Sequence, residues 1–344
     1  MELALVAVAS KNPELAAKAI QWAKDHPQEA RQVALVVDWC GDKLTAAQRE
    51  EILGVAWRAY GKRPAAEIDP VRYRDGLMLR VEREAQFPED ISRWWDGILP
   101  HLKSHDRNWL TDPTELYALY EIVDLVRQNT RNDLRSDNAM LFRALPIEYL
   151  LSLHPQEVES PAWQTRAAAL ILVAIDPNLA AAQYLQGWAL EDPQVTRSGP
   201  GVAYEFLWAN AYLPGISYYN LDPWSYDQDA SLLYARTSWE SDACWIRITA
   251  EGVAEQNCPP DWRTKPFTAG LLTLLPVSSG CVDVPKQGPV ANPRSPSTIL
   301  WGLAPHTRLR YMEEKKPIYY TADAAGMFLV PNNGEDHICT VARK

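Results

Sequence analysis

The strongest constraint on the fold is a change of texture near Ser231. Upstream of it, helix-start signals recur. Downstream, the chain breaks into short runs rich in β-branched and aromatic residues, punctuated by Gly, Pro, Asn and Ser. Asn12-Pro13, Asp112-Pro113, Ser160-Pro161 and Asp176-Pro177 each set a capping side chain before a proline at the first helical position. Thr45-Ala46-Ala47-Gln48 has the pattern of a capping box. Ile52, Leu53, Ala56, Trp57 and Tyr60 form an apolar stripe at helical spacing, and so do Leu116, Leu119, Tyr120, Val123 and Val126. The pattern predicts about seven to nine helices in the first 200 residues, with no strand among them. Short connections make consecutive helices antiparallel neighbours. No fixed period of small and aromatic positions marks a tetratricopeptide array. Later, "SLLYARTSW", "CWIRITA", "AGLLTLLPV", "TILWGL", "IYYTADA" and "MFLVP" read as antiparallel strands. The expectation is an α+β protein with a helical domain over 1–203, an aromatic junction over 204–230 and a β domain over 231–344.

Charge and cysteine content exclude several classes. The net charge is −10. Residues 1–200 carry 22 Lys/Arg against 29 Asp/Glu, or −7, and the remainder 12 against 15, or −3. No basic stripe is available to neutralise phosphates, so nucleic acid is not an expected partner. The start "MELALVAVASKNPELAAK" has no preceding basic segment, which makes it a poor signal peptide. No apolar run is long enough to span a membrane. Cys40, Cys244, Cys258, Cys281 and Cys339 are odd in number and lack a Cys-x-x-Cys pair. That argues against a zinc knuckle or a disulfide framework, and leaves one or two bridges in the second half open. No phosphate-binding glycine loop, nucleophile elbow or His-Glu-x-x-His occurs, and the reading calls for no cofactor.

The junction reads "YEFLWANAYLPGISYYNLDPWSYD", from Tyr204 to Asp227. It gathers Tyr, Trp, Asn and Asp around a Pro-Gly turn. The chain as a whole has 14 Trp and 15 Tyr but only 5 Phe, so rings with a polar handle are favoured over plain ones. Such rings suit surfaces that must be flat and also hydrogen-bond, as in sugar binding or at a wet interface. Sites often form at domain junctions, and the stretch is expected to line a glycan cleft there.

Together with "VALVVDWCGDKLTAAQREEI", the segment "YEFLWANAYLPGISYYNLDPWSYDQDASLLYARTSWESDACWI" resembles the heparinase II/III-like family. The first stretch is similar to a helix of that family's toroid ending in Asp-Trp before a capped next helix. The second resembles the passage from the last toroid helices into the first strands. The resemblance implies an N-terminal (α/α) toroid-like domain followed by an antiparallel β-sandwich. It also implies β-elimination on a uronic-acid-containing glycan, an acidic polysaccharide or oligosaccharide as partner, and a periplasmic or secreted setting. Two departures stand out: both parts are shorter than in the family, and the segment after the capped helix, "GKRPAAEIDPVRYRDGLMLRVEREAQFPED", lacks the family's Asn-His pair.

Elimination needs a base for the C5 proton, a group that neutralises the adjacent carboxylate, and an acid for the leaving oxygen. Tyrosine serves as base or acid when cations lower its pKa, and Arg, Asn or protonated His suits the carboxylate. Tyr218 and Tyr219, after Pro214-Gly215, are the leading acid/base candidates. Tyr204 and Tyr212 rank lower, Tyr204 because it sits on an apolar helix with Phe206 and Leu207. Arg74, between Tyr73 and Asp75 where the family places its Asn-His pair, would take over neutralisation. "VRYRDGLMLRVERE" also reads as an exposed charged helix. His105, with Arg107 and Asn108, is a second candidate for that role. His101 and His105 have a metal-pair spacing but no third ligand, so no metal is expected. Asn210 and Asn220 would bond sugar hydroxyls or cap turns, and Trp208 and Trp224 would stack on a sugar face or fill the core. Arg236 and Trp239 resemble junction packing residues of the family, and Arg236 is also a substrate-binding candidate. Two alternatives stand beside the lyase: a catalytically silent glycan-binding or scaffold relative, and a glycoside hydrolase using Asp222, Asp227 and Asp229. Those acids fit ordinary turn chemistry as well.

Overall fold

The structure, a computed structural model, describes residues 1–61, 69–83, 91–103, 112–191, 201–277, 280–284, 297–313, 316–331 and 337–341. Among them the helices are α1 (Glu2–Ser10), α2 (Pro13–Asp25), α3 (Ala30–Trp39), α4 (Ala46–Gly61), α5 (Pro70–Arg83), α6 (Ile91–Lys103), α7 (Pro113–Thr130), α8 (Ala139–Ser152), α9 (Pro155–Glu159), α10 (Trp163–Ile175), α11 (Ala180–Glu191) and α12 (Gly201–Trp208). The strands are β1 (Trp224–Asp227), β2 (Leu232–Arg236), β3 (Trp245–Thr249), β4 (Gly252–Gln256), β5 (Phe267–Ala269), β6 (Leu272–Pro276), β7 (Cys281–Asp283), β8 (Ser297–Trp301), β9 (Arg308–Glu313), β10 (Lys316–Thr321), β11 (Phe328–Leu329) and β12 (His337–Thr340). The protein is α+β. Two compact units divide it, one of Met1–Leu102, Asn108–Pro146 and Pro161–Ile216, the other of Lys103–Arg107, Ile147–Ser160 and Ser217–Lys344. The second unit therefore begins inside the expected junction and takes in a helical segment from further upstream.

Local chemistry explains the helix starts that match expectation. Asn12 accepts from the backbone N–H of Glu14 at 2.9 Å, and Asp112 from that of Thr114 at 2.8 Å. The Thr45 and Gln48 side chains bond each other's backbone N–H reciprocally, the box that opens α4. Two expected starts are helix ends instead. Ser160 closes α9 and Asp176 closes α10, each just before a proline, and the Asp176 carboxylate is taken by Arg135, 41 residues away, instead of capping a helix start. The helices also outnumber the seven to nine expected. The short α9, which begins His154-Pro155, is one that periodicity over longer windows does not resolve.

In the first unit, α1 packs on α3, α3 on α5, α5 on α7, α7 on α10, α10 on α12, and α12 back on α1. These helices form a closed circuit. α2 lies against α1 and α3, α4 against α3 and α5, and α11 against α10. Because α5 is packed by α3, α4 and α7, it is not the exposed charged helix its sequence also allowed. Arg74, Asp75, Leu77, Met78 and Leu79 are all buried. Gly187 of α11 lets the chain at Ile216 come against the helix, where the Ile216 N–H donates to the Gln183 carbonyl at 2.9 Å. A Cβ at Gly187 would overlap the Ile216 carbonyl.

In the second unit the strands form sheets ordered β1-β2-β3-β4, β10-β9-β12-β7 and β11-β8-β6-β5. Pairing is antiparallel except between β6 and β8, which run parallel, so the expectation of antiparallel strands throughout is corrected. The β6 and β8 runs are apolar without alternation because both of their faces are covered. Leu272, Leu274, Ile299 and Trp301 join a core with Leu233, Ala235, Ile246 and Ile248 of the first sheet. Leu275 and Leu300 face another core, built with Leu309, Tyr311 and Ile338 of the second sheet. The upstream segment belongs to the same unit: the Trp245 indole N–H donates to the Leu151 carbonyl at 2.8 Å, and the His154 ring lies 4.4 Å from that of Trp245. Cysteine pairing, left open by the sequence, resolves into Cys244–Cys258 and Cys281–Cys339, with Cys40 buried and free.

Candidate functional site

A buried polar cluster lies within the circuit of the helical unit. Arg31 of α3 meets Glu121 of α7 through two bonds, Nε to Oε2 at 2.8 Å and Nη2 to Oε1 at 2.6 Å. Arg74 of α5 reaches the same carboxylate at 3.4 Å and binds Asp75 at 2.8 Å. The Tyr117 hydroxyl accepts from Arg31 Nη2 at 3.1 Å and from the Trp208 indole at 2.8 Å, and donates to Glu121 at 3.2 Å. Its donor and two acceptor positions are thus all used. The Tyr204 hydroxyl accepts from Arg31 Nη1 at 3.4 Å. The Tyr204 ring stands edge-on to Tyr117, with centroids 5.0 Å apart, and leans on Trp163 at 5.2 Å.

The electrostatics follow from this pairing. Burial works against the Arg31 charge, but Glu121, and after it Tyr117, reverse the effect and hold its pKa well above the usual value. Burial likewise opposes the Glu121 charge, and Arg31 with Arg74 prevails, keeping that carboxylate below its ordinary range. Burial, then Glu121, pushes the Tyr117 phenol well above the usual value. Tyr117 is therefore held protonated and is a poor base.

Above the cluster lies a cavity of about 220 Å³, lined by Arg31, Gln32, Val71, Arg74, Asp75, Pro113, Thr114, Tyr117, Trp163, Gln164 and Tyr204, among others. A cavity of about 390 Å³ shares Glu29, Gln32, Trp163 and Tyr204 with it and adds Trp22. The lining residues of α3, α5, α7 and α10 come from the first two turns of each helix. Four helix N-termini, each with its partial positive charge, therefore face the same space. Those of α3 and α10 have no side-chain cap. A larger cavity of about 450 Å³, lined by Asp133, Arg135, Phe142, Arg143 and Asp176 among others, is less suited to chemistry. Its Arg135 is already held by Asp133 and Asp176.

Arg74 and Trp208 are the sequence candidates that this cluster includes, and Tyr204, ranked lower from sequence, lies at its centre. Tyr204 packs its half-buried ring against Tyr117 and Trp163, and its hydroxyl faces Arg31. His105, Arg107 and Asn108 lie outside the described residues. Asn210 caps a turn, its side chain accepting from the Tyr212 N–H at 3.0 Å, and Tyr212 projects into solvent at 99% exposure. Asp227 likewise caps a turn through the Ala230 N–H, and Asp222 and Asp229 are exposed.

Tyr218, Tyr219, Asn220, Trp224 and Arg236 belong to the strand-rich unit. Tyr218 is buried edge-on to Trp239 and beside the half-exposed Tyr219, and Asn220 is exposed on the same turn. Trp224 is half-buried on β1, packed against the core of that unit. Arg236 is fully buried, with its guanidinium 4.4 Å above the Trp239 ring and Nε donating to the Ser238 carbonyl. Burial pushes its pKa down to about 10 against a smaller opposing pull from Tyr218. This is a phenol beside a cation, but neither side chain is open to a ligand.

Sequence reasoning missed Arg31, Tyr117, Glu121 and Trp163. One signal was present: Glu121 interrupts the apolar stripe of α7, and a carboxylate among core positions demands a buried partner. No protein-family model matches the chain, and no curated protein matches its sequence.

Proposed function

We propose that the chain is a heparinase II/III-like protein, an (α/α) toroid-like unit followed by a β-sandwich, that acts on a uronic-acid-containing glycan by β-elimination. The closed circuit of helices supports the toroid reading, and the stacked sheets sharing two cores support the sandwich. One observation carries the functional reading: Tyr204 and Arg31 meet in a ring-lined cavity onto which four helix N-termini converge. Helix dipoles favour an anionic sugar, while Trp163 and Tyr204 offer faces for its apolar side. Tyr204 then takes the C5 proton, with Arg31 stabilising the phenolate, and a protonated phenol returns a proton to the leaving oxygen. Two disulfides agree with an oxidising compartment.

A second reading, a silent glycan binder, is favoured by the charge pairing. Arg31 and Arg74 are both engaged by Glu121, so the site spends its cations internally. A panel of acidic oligosaccharides tests both readings, with calorimetry for binding and ultraviolet absorbance for unsaturated uronide ends. Elimination predicts new absorbance that Tyr204→Phe reduces at least about 100-fold while binding persists. Binding without absorbance, weakened at least about tenfold by Trp163→Ala, leaves the silent binder. Absence of binding by every member of the panel refutes both.

A further inference from the structure

The spacing of His101 and His105 pointed to no metal site, but strand register brings other ligands together. In the β7–β12 ladder, Cys281 stands opposite Cys339 and Asp283 opposite His337, with Val282 opposite Ile338 between them. Side chains alternate along a strand, so the four polar residues share one face. Val282 and Ile338 turn the other way, into the core beneath. Directly opposed residues have Cβ atoms about 4.5–5.5 Å apart. Donor atoms of Cys281, His337 and Cys339 lie within 4.8 Å of one another. Ligands of a tetrahedral zinc ion with Zn–S near 2.3 Å stand about 3.8 Å apart, so small side-chain shifts would close such a shell.

The imidazole is already oriented for this role. His337 Nδ1 lies 2.7 Å from an Asp283 carboxylate oxygen, and since a carboxylate accepts, the proton is on Nδ1. The Nε2 lone pair is left for a metal, as in carboxylate–histidine–metal triads. In the structure the two sulfurs are bonded to each other, and a disulfide sulfur lacks the thiolate charge that ligates a metal. Cys281, Asp283 and His337 are exposed, so a reductant can reach this bridge. Cys244 of the other bridge is embedded in a core.

We propose that Cys281, Cys339 and His337, oriented by Asp283, form a redox-gated site for zinc or a similar soft divalent cation, open only when the Cys281–Cys339 bridge is reduced. The gating step balances as a thiol–disulfide exchange. A dithiol reductant gives up two electrons and two protons and becomes a disulfide, and the bridge becomes two thiols. Both thiols then deprotonate as the cation binds, releasing two protons, and water fills the fourth position.

The test uses the full chain, reduced with a dithiol that is then removed by anaerobic gel filtration, and titrated anaerobically with cobalt(II), then with zinc(II). The expected result is one cobalt bound per chain with the visible bands of a tetrahedral thiolate site, displaced by zinc and absent from the oxidised protein. Cys281→Ser/Cys339→Ser should abolish the signal, and His337→Ala should weaken binding at least about tenfold, as should Asp283→Asn. In parallel, zinc should slow alkylation of Cys281 and Cys339 in the reduced chain at least about tenfold, read peptide by peptide in a mass spectrometer. A cobalt spectrum unchanged in the double serine variant would overturn the proposal, because Cys40 or the other pair would then be its source. Alkylation rates indifferent to zinc would overturn it as well. So would a loss of β structure on reduction that zinc does not restore.

Discussion

Replacing Glu121 by Gln keeps the side-chain shape and removes one charge from the centre of the helical unit. Arg31 then loses a two-bond partner at 2.6 and 2.8 Å, and Arg74 loses an attraction at 3.4 Å. Arg31 is 4% exposed and Arg74 6%, so water can reach them only from the cavity side and replaces the carboxylate poorly. Breaking a buried pair from one side costs about 3–5 kcal/mol. A Coulomb estimate gives a similar size, about 4 kcal/mol for charges 4 Å apart at an effective dielectric of about 20. For a cooperative unit of about 150–250 residues, that lowers Tm by about 6–20 °C.

Calorimetry and urea melts at neutral pH measure the cost, and acidification checks its origin. The folded-state pKa of Glu121 lies below the unfolded value, so its stabilisation is fully present above about pH 4.3 and fades as pH falls through the folded value. The gap between the parent and Glu121→Gln should therefore close over that acid range. Arg31→Met/Glu121→Leu should recover part of the loss, because apolar groups replace both charges. A cost below about 1 kcal/mol at neutral pH, or a gap that persists in acid, would refute the reasoning.

Two further outcomes follow from packing. Gly187→Ala should destabilise the helical unit by about 3 kcal/mol in urea melts, since the added methyl meets backbone rather than a yielding side chain; a loss under about 1 kcal/mol would show that the Ile216 segment yields. Arg236→Met should leave the strand-rich unit within about 1 kcal/mol of the parent. Burial costs the Arg236 charge about 3 kcal/mol, from a pKa near 10, and that penalty applies below about pH 10 and lifts as pH rises above it. The lost Ser238 bond and ring contact offset the relief, and a loss above about 2 kcal/mol in a denaturant melt would contradict this balance.

What the sequence disclosed depended on how far apart the interacting groups lie. The caps at Asn12, Thr45 and Asp112 act over two or three residues, and they read correctly. Asp176 has the same dipeptide but serves Arg135 across 41 residues, so its role was hidden. The apolar stripe of α7 was legible because it repeats every turn. The cluster that crosses it was not: Arg31 and Glu121 are 90 residues apart, and Arg31 and Tyr204 are 173 apart. The ring-rich stretch from Tyr204 to Asp227 drew attention as one block. The unit boundary after Ile216 divides it, leaving Tyr204 and Trp208 beside Arg31 and Tyr117, and Tyr218 beside Trp239. A parallel β6–β8 pair was invisible for a related reason: apolar runs report burial on both faces, not strand direction.

The hydrogen bond between Trp245 and Leu151 also sets a timetable for synthesis. The two residues are 94 apart, and a nascent chain lengthens by about 5–20 residues per second. For about 5–20 s, the segment carrying Leu151 and His154 leaves the ribosome before its indole partner has been made. Over that interval the upstream fragment of the strand-rich unit lacks the indole that it binds in the finished fold. A gene fragment starting at Ser217 would lack this segment altogether, and translation would deliver a β unit with the Trp245 indole N–H unpaired.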